Sequence, residues 1–224
     1  MKKTNYKDLG NISYKEAWDY QENLFNGLLQ AKRDEVISKN YLLFCEHPPV
    51  FTLGKSGAES NLLMSQEFLH QKGIEYYKSN RGGDITFHGP GQIVGYPILD
   101  LEQFELGVKQ YIYALEEVII KTLQDYTIDS ERLEGSTGVW LDTKGPNPRK
   151  ICAIGVKASR YITMHGFAFN INTDLNYYSY INPCGITDKT VTSLQNELGK
   201  SIDLDEVKTK LKNYFVEVFG MHYN

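Results

Sequence analysis

The sequence predicts an α+β domain in which a mixed sheet is flanked by helices, and three observations carry that expectation. Apolar residues recur at helical spacing near the start, the middle and the end of the chain. Short apolar runs between these segments are bounded by Gly, Pro and Asn, as strands are. Strands and helices do not alternate as strand and crossover helix, which argues against a doubly wound sheet, and the second half is richer in strand. At 224 residues and 41% hydrophobic content, the chain can bury a core. It shows no repeat, linker or low-complexity tract, so residues 1–224 read as a single domain.

The first helix is announced by Ser13 with Glu16, a capping box, and by Ile12 and Ala17 as a hydrophobic staple. Ala17, Leu24, Phe25 and Leu28 share one face, and the helix is expected to run to about Ala31. Two apolar runs, 41–45 and 50–53, are separated by His47-Pro48-Pro49. Proline donates nothing to a ladder, so these read as two strands around a rigid corner. A short helix over 65–71 and a strand over 74–78 precede a Gly-rich segment, 81–91, and a further strand over 93–99. Val108, Tyr111, Ile112, Leu115, Val118, Ile119 and Leu123 then mark a long helix. Residues 138–141, 151–156 and 163–171 read as strands, the first two joined as a hairpin by the turn-rich TKGPNP. Asp203 with Glu206 caps a last helix whose inner face is Leu204, Val207, Leu211, Tyr214, Phe215 and Val218.

Composition narrows the class of function. A net charge of −4 gives no global argument for nucleic acid, and an acidic partner would need a local basic patch. The opening MKKTNYKDLG has no apolar segment behind its lysines, and no stretch approaches the ~18 apolar residues of a membrane span. A cytoplasmic protein that binds no membrane is expected. Cys45, Cys152 and Cys184 are odd in number and widely spaced, against a disulfide framework and against a zinc cluster, and no metal is predicted.

Three segments stand out chemically. In RGGDITFHGPGQ, residues 81–92, glycines permit close backbone approach to a ligand, and Thr86 and His88 alternate on a short strand. The same pattern also suits a tight structural turn. It is neither a P-loop nor a dinucleotide fingerprint. In INPCG, residues 181–185, Cys184 stands between a proline and a glycine, a turn where a nucleophile can meet a ligand, although a lone cysteine is equally read as inert. Cys45 and Cys152 lie inside apolar runs and read as core. From Thr143 through Thr173 there is no acid, while Lys144, Arg149, Lys150, Lys157 and Arg160 are present. That run reads either as a surface for an acidic protein or as a solvated face. Lys150 opens the apolar stretch ICAIGV, where desolvation would lower its pKa and make it a base; the alternative is a solvated edge lysine.

RGGDITFHGPGQIVGYPILDL, RKICAIGVKASRYITMHGFAFNIN and INPCGI, with EHPPVFTLGKSG before them and VTSL after, together resemble the lipoyl(octanoyl) transferase family. The resemblance runs in the family's order from about Glu46 to Leu194. It implies the fold of the lipoate ligase and biotin ligase catalytic domains. It further implies that Cys184 is the acylated cysteine and Lys150 its partner. Arg81, Gly82, Gly83, Asp84, Thr86, Phe87, His88, Gly91 and Gln92 would stand beside the acyl pocket, as would Ala153, Ile154, Gly155, His165, Gly166, Phe167 and Ala168. The TKGPNP loop and residues 129–136 carry no strong family pattern, which leaves acceptor choice open.

The reaction this implies needs no cofactor. An octanoyl or lipoyl group passes from acyl-carrier protein to Cys184, then to a lysine of a lipoyl domain of a 2-oxoacid dehydrogenase or of the glycine cleavage H protein, with the enzyme expected as a monomer. Lys150 serves as general base in both halves, and backbone N–H groups near Gly185 or the Gly-rich loop, with His88 or His165, are candidates for the oxyanion. Other readings stay open. The two histidines suggest a Cys-His hydrolase, and His88, His165 and Cys184 a metal site. An ATP-dependent lipoate ligase, a relay between two acceptor domains and a non-catalytic binder of acylated carriers are the competing functions.

Overall fold

The computed structural model describes residues 2–182 and 190–224. Cys184, with Gly185 of the same turn, lies outside the described residues. The chain opens with β1 (Lys2–Asn11), α1 (Tyr14–Arg33), β2 (Asn40–Glu46), β3 (Val50–Leu53), α2 (Gln66–Gln71), β4 (Glu75–Lys78), β5 (Ile85–His88) and β6 (Gln92–Ile98). It continues through α3 (Val108–Gln124), β7 (Glu131–Leu133), β8 (Ser136–Leu141), β9 (Arg149–Ser159) and β10 (Ile162–Asn170). The last elements are β11 (Thr190–Val191), α4 (Leu194–Leu198), α5 (Leu204–Phe219) and β12 (Met221–Tyr223).

Among the described residues, one sheet runs β12-β1-β2-β6-β10-β9-β8-β7, with β11 beside β9, and a second runs β4-β3-β5. The His47-Pro48-Pro49 corner is where the chain leaves the large sheet for the small one. Pairings are mixed: β1 runs parallel to β2 and β12, while β6, β10, β9 and β8 are antiparallel. Side-chain alternation divides β6 and β10 between two cores. Ile93, Phe167 and Phe169 point to α3 and α5, while Val94, Tyr96, Met164 and Ala168 point to α1.

The helices form for the reasons their sequences give. Ser13 Oγ accepts from Glu16 N at 3.3 Å and donates to the Glu16 carboxylate at 2.7 Å, so α1 begins where its capping box stands. Phe25 and Leu28, 4% and 3% exposed, fix the helix on the sheet, each burial contributing ~2 kcal/mol. The helix ends at Arg33, two residues beyond the expected stop. Asp203 caps α5 by accepting from Asp205 N at 2.9 Å, and Gly220 at φ 63° closes it. No helix among the described residues is long and apolar enough to cross a membrane.

Candidate active site

A cleft of about 670 Å³ is walled by both sheets. Thr86 and His88 come from β5, Val94 and Tyr96 from β6, Lys150 and Ala153 to Gly155 from β9, and His165 to Ala168 from β10. Arg81, Gly83 and Asp84 of the Gly-rich loop, Tyr14 of α1 and Tyr178 complete much of the wall. Asn182 and Thr190, the described residues on either side of the segment holding Cys184, also line it.

Four of the residues expected beside the acyl pocket stand outside this wall. Gly82 ties its loop to β9 by donating from N to Val156 O at 2.9 Å. Phe87 faces away from Thr86 and His88 on the alternating strand and stacks on Tyr177 at 4.4 Å in a satellite core. Gly91, at φ 77°, donates its N–H to the Glu46 carboxylate at 2.8 Å, and a Cβ there would meet the Asn172 carbonyl oxygen at 2.6 Å. Gln92 stands behind His88 and orients it.

That orientation can be worked out bond by bond. Gln92 Nε2 donates to the Phe87 carbonyl at 3.1 Å, which turns Oε1 toward His88 Nδ1 at 2.8 Å, so Nδ1 carries the proton. His47 donates from Nδ1 to the Ile12 carbonyl at 2.7 Å and accepts from Tyr96 Oη at Nε2, again at 2.7 Å. His165 Nε2 lies 2.6 Å from Asn80 Oδ1. Burial holds all three imidazoles neutral: His47 is lowered to about 4, His165 to about 3, and His88 well below the ordinary range.

Arg81 is buried, and its guanidinium donates to Thr52 O at 2.6 Å, Thr52 Oγ1 at 2.9 Å and Gly82 O at 3.0 Å, all neutral acceptors. Burial pushes its pKa down. Close backbone approach to this side chain comes from glycines outside the Gly-rich segment: a Cβ on Gly54 would come within 2.9 Å of Arg81 Nη1, and one on Gly155 within 3.3 Å.

Lys150 sits at the second residue of β9, opposite Trp140 on β8 and beside Val191 on β11, with Nζ 4.7 Å from the Trp140 ring centroid. Its neighbour Arg149 forms a fork with Glu197, both bonds at 2.7 Å, and Glu197 also accepts from Thr192 Oγ1 at 2.6 Å. Thr192 N donates to Lys150 O at 2.9 Å. These contacts fasten the chain that returns from the Cys184 segment to the strand that carries Lys150.

The acid-free run is therefore less of an open cationic surface than its sequence suggests. Arg149 is neutralised by Glu197 from α4, Lys144 lies 3.7 Å from Glu131 on β7, and Lys157 covers the Phe25 ring at 4.7 Å. Glu197 comes from a segment far away in sequence. Cys45 and Cys152 are fully buried core residues, and burial pushes both thiols up. Tyr14, Tyr96, Trp140, Asn170 and Tyr178 line the cleft although none of them was among the expected site residues. Only their neighbours offered a signal: Tyr96 lies in the strand after the Gly-rich loop, and Asn170 ends the HGFAFN run.

Known proteins resemble this chain in sequence and in fold. The family model described as lipoyl protein ligase A/B catalytic domain matches residues 13–216. A Parabacteroides distasonis protein named octanoyltransferase is 57% identical, over 98% of this chain and 100% of its own length. An archaeal bi-partite lipoate protein ligase from Thermoplasma acidophilum superposes with a TM-score of 0.73 at 14% identity, covering 100% of this chain and 86% of that one. A biotin protein ligase from Aquifex aeolicus gives 0.55 at 17% identity, over 96% and 70%. At such identities the two structures speak to fold alone, and the fold is the one expected.

Proposed function

Since the chain belongs to the lipoyl protein ligase A/B catalytic-domain family, we propose that it transfers an octanoyl group to a lysine of lipoyl domains through a thioester on Cys184. The observation that carries this reading is the cleft itself, where Lys150 shares one wall with Asn182 and Thr190, the residues bracketing the Pro-Cys-Gly turn. Octanoyl-acyl-carrier protein is the proposed donor. Lys150 takes the Cys184 proton, the thiolate attacks the thioester carbonyl, and the carrier's C–S bond breaks. The carrier thiol leaves with that proton. In the second half, the acceptor amine attacks the acyl-enzyme, its proton passes to Lys150, and the Cys184 C–S bond breaks. Arg81, a buried cation on the cleft wall, favours the negative charge that develops on the carbonyl oxygen in both halves. The cytoplasm is the proposed compartment, and 1–224 the catalytic unit.

Intact-protein and peptide mass spectrometry of the protein mixed with octanoyl-carrier protein, without ATP or acceptor, tests this. An octanoyl adduct on Cys184 that discharges when a lipoyl domain is added is the expected result. Full transfer by a Cys184→Ser variant, or an absolute need for ATP, would remove the covalent mechanism. Replacing Lys150 by Ala is expected to abolish transfer, whereas His165→Ala only weakens it; the opposite ranking would move the base to His165.

A further inference from the structure

His165 combines three unusual features. It lies within β10 yet has φ 58°, a left-handed conformation that a non-glycine residue rarely adopts in a strand. The β6–β10 pairing stops at Phe167 with Gly95, and two residues further along the same register falls Pro97, which has no N–H to donate. The ladder is broken there and resumes at Thr163 N to Leu99 O, 2.9 Å. The backbone N–H so displaced is caught by a side chain from α1, Gln21 Oε1, at 3.0 Å. The strain at His165 is thus held in place from outside the sheet.

Its ring is also held. Asn80 Nδ2 donates to the Glu22 carboxylate at 3.3 Å. A carboxylate accepts only, so Glu22 fixes which end of the Asn80 amide faces His165: the oxygen. At 2.6 Å that oxygen requires the proton on His165 Nε2. The Nδ1 lone pair is left without a protein partner among the described residues, on a side chain that lines the cleft.

We infer that Glu22 and Asn80 are positioning residues that hold His165 in its Nε2–H form, so that Nδ1 accepts a hydrogen bond from the N–H of the incoming acceptor amine. The inference rests on the transfer reaction proposed above. An attacking amine keeps N–H groups that need acceptors as it enters the cleft, and a neutral acceptor on the cleft wall meets that need. The groups facing His165 agree with a neutral ring. Arg81 from the Gly-rich loop and Lys157 from β9 both oppose protonation, Trp18 of α1 stands 6.1 Å away, and the Glu22 charge reaches the ring only through the Asn80 amide.

The test reads the ring directly. Long-range ¹⁵N–¹H NMR of the ¹⁵N-histidine-labelled protein is expected to show His165 neutral, with its proton on Nε2, from pH 8 down to ~5. A proton on Nδ1, or titration inside that range, overturns the inference whatever the enzyme's mechanism. Asn80→Asp places a carboxylate on Nε2 and raises the His165 pKa. Below the raised value Nδ1 becomes a donor. Discharge of pre-formed octanoyl-enzyme to a lipoyl domain should then slow on the order of tenfold as pH falls, while loading from the carrier keeps its wild-type pH profile. Equal slowing of both halves would mark a purely structural role and refute the inference. Should Asn80→Asp not fold, Glu22→Gln serves: it frees the amide to turn, and a mixture of His165 tautomers is expected. A single unchanged tautomer there overturns the proposed orienting role of Glu22. Absence of any octanoyl-enzyme would instead defeat the reaction scheme and leave the tautomer result standing.

Discussion

Acidification should destabilise this protein well before its carboxylates protonate. His47 and His165 titrate at about 4 and about 3 in the folded state against 6.5 for the free side chain, and His88 is lowered as well. Burial disfavours the charged form in each. A depressed histidine contributes its full stability above the unfolded pKa and loses it as pH falls toward the folded one. The window therefore opens near pH 6.5 and extends down to about 4 and about 3. At pH 5 the unfolded chain holds a proton on the imidazoles of His47 and His165 and the folded chain almost none. The loss is roughly 2 kcal/mol for each of these two, or about 4 kcal/mol together, a large share of the stability of many domains, and His88 adds to it in the same direction. Near pH 5 the slope from this pair should approach ~2.5 kcal/mol per pH unit, at ~1.4 per proton. Asp125 and Glu197, held below the usual carboxylate range by Tyr214 and Arg149 respectively, act in the same direction but at lower pH. Urea unfolding at pH 7.5, 6.5, 5.5 and 5.0 measures this. A slope below that of one proton over the last interval would refute the claim that His47 and His165 are held neutral.

Other substitutions probe the framework of the site. Gly166→Ala would place a Cβ 2.1 Å from the Gly95 carbonyl oxygen, so the backbone must shift, at ~1–3 kcal/mol; an unchanged melting temperature would show that the β6–β10 contact is looser than drawn. Glu197→Gln breaks a partly buried fork and should cost ~1–3 kcal/mol, or ~3–9 °C in Tm, with Arg149→Met/Glu197→Met less destabilising than either single change. Equal losses in all three variants would count against an ion-pair origin. In the folded protein Cys45 and Cys152 should resist iodoacetamide at pH 8 and react once urea unfolds the chain; prompt labelling of either would contradict its burial.

Legibility in the sequence followed the range of the interactions involved. Helix α1 could be read because its cap, Ser13 with Glu16, and its apolar face all lie within twenty residues. Strand β1 could not: KKTNYKDLGN buries only Thr4, and what makes it a strand is backbone pairing with β2 and β12, elements far along the chain. The motif residues of the cleft were visible because glycine, histidine and lysine are conspicuous among apolar runs. Tyr14 and Tyr96 were not, since a buried aromatic on an apolar face reads as core. Their hydroxyls are satisfied by Ser79 and His47, 65 and 49 positions away. The same limit hid Glu197 from the acid-free run it neutralises.

Those distant partners also bear on two chemistries that the sequence left open. A Cys-His hydrolase needs an imidazole that cycles through its cation near neutral pH, and such rings are oriented by an anion that stabilises the charge. Among the described residues, none of the three buried histidines meets this description. His47 donates to a backbone carbonyl, His88 to the Gln92 amide and His165 to the Asn80 amide, all neutral acceptors. Arg81 stands close enough to His88 and His165 to oppose their protonation further. A histidine built for polarity without charge is a poor activator of water but a sound hydrogen-bond partner for an amine. Such an arrangement accords with the proposed transfer, in which Lys150, on the cleft wall beside Trp140, carries the proton.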